Sequence, residues 1–197
     1  MLIFLIMTSR THDMIGFASL ITVAANFPPE NLNVNTAIAS LIGCTIGSLI
    51  PDMDQATNRL WDLLPAGNFL GRIFRNLMLE HRTISHSILG GYILYKILSF
   101  VILHLINPNY VDIELVTISI MVGFVAHVCA DMLTKEGVPL LFPLPFKIGF
   151  PPIKALRITT GKFVEKVLIF PGVIVYLIWF VAYHRVQLLS LLKLIQS

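Results

Sequence analysis

The chain has 197 residues, 56% of them hydrophobic and only 13% charged, with a formal net charge of +3. A water-soluble domain carries about 25% charged residues, so this composition and a mean hydropathy of +0.81 exclude an ordinary soluble globule and point to lipid as the solvent. The apolar residues fall into several separated runs, which excludes a single-anchor protein and predicts an all-α membrane protein.

The predicted architecture is a polytopic bundle of about five membrane-embedded helices plus an interfacial amphipathic helix, in one membrane-embedded domain over residues 1–197. Met1 to Met7 is apolar but lacks a basic leader and a small-residue cleavage site, so it reads poorly as a signal peptide, and Met7 is an alternative start. The first helix is expected at about 13–27, with Thr11-His12-Asp13 as its capped start and Phe27-Pro28-Pro29-Glu30 as its stop. The second, about 36–50, is closed by Pro51. Both are shorter than the ~20 residues that cross hydrocarbon, so they span with polar-edge extensions or re-enter as a hairpin. Either way the chain returns to the side where it began.

Between the second and third helices, Phe69, Leu70, Ile73, Phe74, Leu77 and Met78 recur at helical spacing around Arg72, Arg75 and Asn76. That pattern predicts the interfacial helix at about 68–80. The remaining helices are expected at about 85–106, 113–133 and 164–184, the last with Pro171-Gly172 near its start, a kink that membrane helices tolerate. Pro139 to Pro152 reads as an ordered, membrane-hugging loop, and Val186 to Ile195 as a short interfacial stretch. Cys44 and Cys129 lie inside apolar runs and read as small buried residues. Trp61, Trp179, Tyr110 and Tyr183 suit interfacial belts, and Lys96 a snorkelling or intra-bundle position.

Basic residues set the orientation. Arg10, Arg59, Arg72, Arg75, Arg82, Lys135, Lys147, Lys154, Arg157, Lys162 and Lys166 fall on one side, against Arg185 and Lys193 on the other. The chain is therefore expected in the inner (plasma) membrane as a multi-pass protein, with its N-terminus in the cytoplasm.

The metal-ligand residue types sort onto that same side. His12 and Asp13 precede the first helix, Asp52 and Asp54 follow the second, and His81 and His86 lead into the third. His127 and Asp131, four apart and so on one helix face, lie near the end of the fourth, while Glu136 and Glu165 flank the loop that follows. Charged groups at the edge of hydrocarbon are costly and mark functional sites or partners. A divalent cation lets several carboxylates share a small space while neutral imidazoles complete its shell. Taken alone, Asp52 and Asp54 read better as a solvated pair after a proline stop, and His127 with Asp131 competes with a helix-end hydrogen-bonded pair. Convergence of four helix ends is the stronger signal. Mixed nitrogen and oxygen ligands favour Zn²⁺ first, with Mn²⁺ or Fe²⁺ as options, over Ca²⁺ or Mg²⁺, and the candidates exceed one tetrahedral site, so two ions are expected to fit. His104 and His184 lie at the opposite face as ordinary interfacial residues, and Ser87, without a Gly-x-Ser-x-Gly elbow, reads as a helix start.

Thr11-His12, Pro51-Asp52-Met53-Asp54, His81-Arg82-Thr83-Ile84-Ser85-His86-Ser87 and Gly123-x3-His127-x3-Asp131-x2-Thr134-x2-Gly137-x3-Leu141-x-Pro143 occur in that order. Together they resemble the YdjM family of LexA-regulated inner-membrane proteins, and the resemblance implies metal-dependent hydrolase activity without naming a substrate. Gly161 to Glu165 is similar to that family's closing element, although Lys162 stands for its serine; Thr83 and Ser85 likewise replace its usual glycine and threonine. These departures spare every candidate ligand.

The expected function is metal-dependent hydrolysis at the cytoplasmic membrane face, with the bilayer as partner and a lipid-linked or other phosphoester as substrate. No nucleic-acid partner is expected. A metal would lower the pKa of bound water from ~15.7 towards about 7. His12, Asp54, His81, His86, His127 and Asp131 are the expected metal ligands, Asp52 or Glu165 a further ligand or general base, and Arg82 a bidentate hold on an anionic substrate. The alternatives are a metal-ion transporter or sensor, and a scaffold with a structural metal site.

Overall fold

This computed structural model describes residues 2–53, 59–62, 84–159 and 162–196, and among them the chain is helix and loop. The first helix, α1 (Leu2–Asn26), begins well before the expected start. The apolar run ahead of Thr11-His12-Asp13 contains no helix breaker, and a helix propagates more readily than it nucleates. It therefore passes through the capping residues instead of starting at them. His12 becomes a residue on a helix face. Pro28 and Pro29, which have no N–H to donate, follow its end.

Helix α2 (Val34–Leu49) is capped by Asn33, whose Oδ1 accepts from Thr36 N at 2.7 Å. A 3₁₀ turn, Ile50–Asp52, absorbs Pro51 and continues the axis. With it, Val34–Asp52 is 19 residues long and apolar enough to cross a membrane, which favours the spanning option over a re-entrant hairpin. A second 3₁₀ turn, Ile84–His86, precedes α3 (Ile88–Leu105); Ser87 is its N-cap, its hydroxyl accepting from Gly90 N at 3.0 Å. Asp112 caps α4 (Ile113–Met132) in the same way. A π turn, Glu165–Ile169, then runs into α5 (Phe170–Tyr183), with Pro171 in the first turn, and α6 (Arg185–Gln196) follows.

Among the described residues, four helical segments are long and apolar enough to span: Val34–Asp52, Ile88–Leu105, Ile113–Met132 and Glu165–Tyr183. The apolar run of α1 is interrupted by Arg10, His12 and Asp13, and the helix packs against α2, α4 and α5. The protein is an all-α membrane protein.

Its centre is the α2–α4 pair. Lipid supplies no hydrophobic drive between helices, so close backbone approach and van der Waals packing must hold them together. Gly43 and Gly47, four apart on α2, face Ile120 of α4, and Gly123 of α4 faces Cys44. A Cβ on Gly47 would overlap the Ile120 carbonyl, and one on Gly123 the Cys44 carbonyl. Around this crossing Ile50, Ile102, Val116, Ile120, Phe124, Val128 and Val138 form the buried apolar core. The buried hydroxyls of Thr117 and Ser119 donate to the carbonyls of Ile113 and Leu115, at 2.8 and 2.7 Å, so they leave no unmet polar group in the seam.

The loop after α4 is ordered, as expected. Val138 and Ile148 exchange backbone hydrogen bonds of 2.8 Å, Lys135 N donates to Ile158 O at 2.9 Å, and Arg157 donates from Nε to Pro151 O and from Nη2 to Pro152 O. Other expectations are corrected. Trp61 is buried rather than in a belt, its indole N–H donating to Met53 O at 3.1 Å, because it packs back under the end of α2. Cys44 is buried and donates to Gly16 O at 3.3 Å, whereas Cys129 is exposed on the outer face of α4. Lys96 is exposed, its ammonium 5.6 Å from the Tyr92 ring centroid, which fits snorkelling and not an intra-bundle role. The expected interfacial helix at 68–80 lies outside the described residues.

Candidate metal centre

Three elements bring four ligand-type side chains together. Asp52 ends the 3₁₀ turn after α2, His86 ends the turn before α3, and His127 and Asp131 share a face in the last two turns of α4. The chain reverses between successive helices, so the C-terminal ends of α2 and α4 and the N-terminal end of α3 meet at one end of the bundle. Close approach at Gly47 and Gly123 then sets the depth of His127. Its Nδ1–H donates to Ser48 O at 2.6 Å, which leaves Nε2 as the acceptor nitrogen turned inward. A fixed tautomer of this kind is how a second partner prepares a metal-ligating histidine.

One nitrogen or oxygen from each of Asp52, His86, His127 and Asp131 lies within 4.8 Å of all the others. His86 Nε2 is 3.2 Å from Asp131 Oδ2 and 3.5 Å from Asp52 Oδ1, and His127 Nε2 is 3.7 Å from each of those oxygens. Charge-assisted N–H···O bonds are shorter, about 2.7–2.9 Å. Donor atoms around a tetrahedral ion at ~2.1 Å stand roughly 3.4 Å apart. The observed spacing fits atoms that share a cation better than atoms bonded to one another. Asp52 Oδ1 and His127 Nε2 are buried and take no hydrogen bond among the described residues.

The electrostatics ask for a cation as well. Helix C-termini carry partial negative charge and favour cations, yet both carboxylates sit there, Asp52 beyond α2 and Asp131 in the last turn of α4. Asp131 is fully buried, and so are His86 and His127. A fully buried carboxylate, Asp131, with the part-buried Asp52 beside it, both at negative dipole ends, favours positive charge at this point. With two imidazole nitrogens and two carboxylate oxygens, these residues form a group able to hold a divalent ion.

His12 adjoins this group. Its ring stacks on His127 with centroids 4.0 Å apart and planes 16° apart, and its Nε2 is 3.5 Å from Asp131 Oδ1. Asp13 accepts from Ser48 Oγ at 3.1 Å. Glu165, buried on the π turn, lines one cavity with Thr11, His12 and Thr134. Of the residues named from sequence, Asp52, His12, His86, His127, Asp131 and Glu165 thus occupy one end of the bundle. Asp54, His81 and Arg82 lie outside the described residues. His104 and His184 instead bond carbonyls of their own helices, Phe100 O at 2.7 Å and Phe180 O at 3.3 Å. Sequence reasoning missed the role of Ser48, whose carbonyl orients His127; a serine one turn before a helix-ending proline gives no signal of it.

The Bacillus subtilis (strain 168) protein YvsG is 27% identical over 165 residues, which cover 83% of this chain and 88% of that protein. No solved structure matches the chain. Residues 7–192 match the family described as YdjM inner membrane protein, a stretch that contains every residue of the four-membered group and His12 and Glu165 beside it; the chain belongs to that family.

Proposed function

We propose that this chain is a membrane-bound metal-dependent hydrolase that works at the cytoplasmic face of the inner membrane on a phosphoester or lipid-linked substrate. The observation that carries the reading is the spacing of four donor atoms from Asp52, His86, His127 and Asp131, which suits one divalent ion, Zn²⁺ first and Mn²⁺ or Fe²⁺ next. The chemistry a divalent ion supplies there is Lewis acidity, which polarises an ester oxygen and acidifies water.

The remaining roles belong to the chain's own side chains. Asp52 takes the ligand role open to it from sequence, which leaves Glu165 as the general base across the cavity from His12. Asp131 turns Oδ2 towards His86 and His127 and Oδ1 towards His12, so it would contribute to holding metal on either side. Asp54 and His81 would complete the second set, and Arg82 would hold an anionic group. Only Asp52 among the four is appreciably open, with 26% of its side chain exposed, so substrate reaches the group from that side or past His12. A transporter places its ion site near the membrane midplane between broken helices, and this group sits at helix ends instead.

Elemental analysis of the purified protein, paired with a screen of phosphorylated lipids, tests the reading. Stoichiometric transition metal and turnover of a phosphoester support it. Metal without turnover, with ion uptake into proteoliposomes, would favour the transporter. Cysteine labelling at positions 72 and 154 should report cytoplasmic exposure, and labelling from the periplasm would reverse the orientation.

A further inference from the structure

A groove of about 620 Å³ runs between α1 and α5, within the ~300–1,000 Å³ that ligand sites occupy. Its walls are the continuation of the two helix faces that end at the site. On α1 the face bearing Thr11 and His12 goes on as Ile15, Ser19 and Val23; on α5 the face bearing Glu165 goes on as Ile169, Gly172 and Tyr176. Ile15 and Ile169 line both the groove and the cavity holding His12 and Glu165, so the two spaces adjoin. At the far end the Thr22 and Tyr176 hydroxyls pair at 2.8 Å and close the groove. From Ile15 to Val23 the helix rises about 12 Å, close to one leaflet of a hydrocarbon core that is ~30 Å thick.

The floor is open by design of sequence: a Cβ added to Gly172 would meet nothing within 4 Å, although the glycine lies in a helix where any side chain could stand. At the site end, Arg10 and Lys166 line a neighbouring cavity with Thr11 and Glu165. An apolar slot one leaflet deep, ending in basic side chains, complements one molecule type in a bilayer.

We propose that the α1–α5 groove seats an acyl chain of a phosphate-bearing membrane lipid, with its headgroup held between Arg10 and Lys166 beside His12 and Glu165. Naming that lipid as the substrate rests on the hydrolase reading; its seat in the groove does not.

The test uses the purified full chain in phosphatidylethanolamine–phosphatidylglycerol vesicles doped with a phosphatidylglycerol carrying a diazirine on one acyl chain. After photolysis, adducts should concentrate on Ile15, Ser19 and Val173, in excess of those on Val175 and Ile178, which lie on the exposed side of α5. Gly172→Trp should abolish the groove adducts and leave those at Ile178 and the metal content unchanged. Should that variant fail to fold, Leu168→Trp at the exposed rim of the groove is read in its place. Equal labelling of both sides of α5, or groove labelling that survives the tryptophan, overturns the proposal. Groove labelling in a chain without bound metal supports the lipid seat while sinking the hydrolase reading; metal with uniform labelling sinks the lipid seat and leaves the hydrolase reading to the phosphoester screen.

Discussion

Two pairs of helices of similar length and hydropathy live in different surroundings. In the spans that contain α2 and α4, 44% and 50% of the residues are buried inside the protein; in those of α3 and α5 only 11% and 6% are. The sequence difference behind this is small residues. Gly43 and Gly47 on α2 meet Val116 and Ile120 on α4, Gly123 on α4 meets Cys44 and Ser48 on α2, and Ser40, Ser119 and Ala126 are buried on the same two helices, whereas α5 meets α1 loosely and leaves the groove open. Tight packing belongs where ligand atoms must be held within a few tenths of an ångström, and loose packing where a lipid chain would enter. The tight pair carries Asp52, His127 and Asp131, the turn before α3 adds His86, and α1 and α5 border the group.

The largest effect is expected at the point where the tight pair meets the site. Asp131 is fully buried and faces His86 and His127 with one oxygen and His12 with the other. Asp131→Ala should remove all bound metal, measured per purified chain, and Asp131→Asn should behave alike because a neutral amide supplies no negative charge. Full occupancy in both would remove the metal reading.

Next comes the comparison of two glycines. Gly123→Leu puts a side chain into the Cys44 carbonyl, so α2 and α4 must part. Overpacking typically costs about 1–3 kcal/mol, and here it should lower the melting temperature and the metal content together. Gly172→Leu, in open space, should do neither. Equal effects would mean that the contrast between the two pairs is not what organises the bundle. A smaller and more specific change is expected for His12→Ala. It leaves the group of Asp52, His86, His127 and Asp131 intact, so on the two-ion reading proposed above the metal content should fall from two ions per chain to one.

Much of this was legible in the chain because membrane rules are strict. Apolar run length and the proline stops placed α2 through α5, and Asp112 and Ser87 lie at helix starts where capping residues are expected. That Asp52, His86, His127 and Asp131 lie at one end of the bundle followed from topology, since successive spans must reverse; that Asp52 stands among the donor atoms did not, because the sequence pointed to Asp54 as the ligand and to Asp52 as a further ligand or general base. Less was legible where two local signals compete. Thr11-His12-Asp13 looks like a cap, but the apolar residues before it propagate the helix, and only the resulting face tells which way His12 points. Trp61 and Cys129 were misread because periodicity gives a residue's position along an apolar run and not which neighbour covers it. The Ser48 carbonyl and the groove beside Gly172 depend on how closely two helices approach, a property of pairs of segments that no single segment states.

The smallest expected effect gives the cleanest form of the comparison, because the chemical change is identical at two sites. Ile120 on α4 is 6% exposed and packs against Gly43 and Gly47; Ile178 on α5 is 67% exposed. In water, cutting either to alanine would forfeit transfer free energy, but lipid tails are as apolar as the protein interior, so that contribution nearly vanishes in a membrane. What is left at Ile120 is the cavity, which the rigid α2–α4 crossing fills poorly, at a cost of about 2 kcal/mol. At Ile178 fluid acyl chains move in to replace the lost methyls, and Ile178→Ala should shift stability by less than ~0.5 kcal/mol. Unfolding of both variants in the same bilayer or detergent measures the difference directly. A large loss at Ile178 would show that α5 is covered by protein there, for example by a second copy of the chain, and not by lipid.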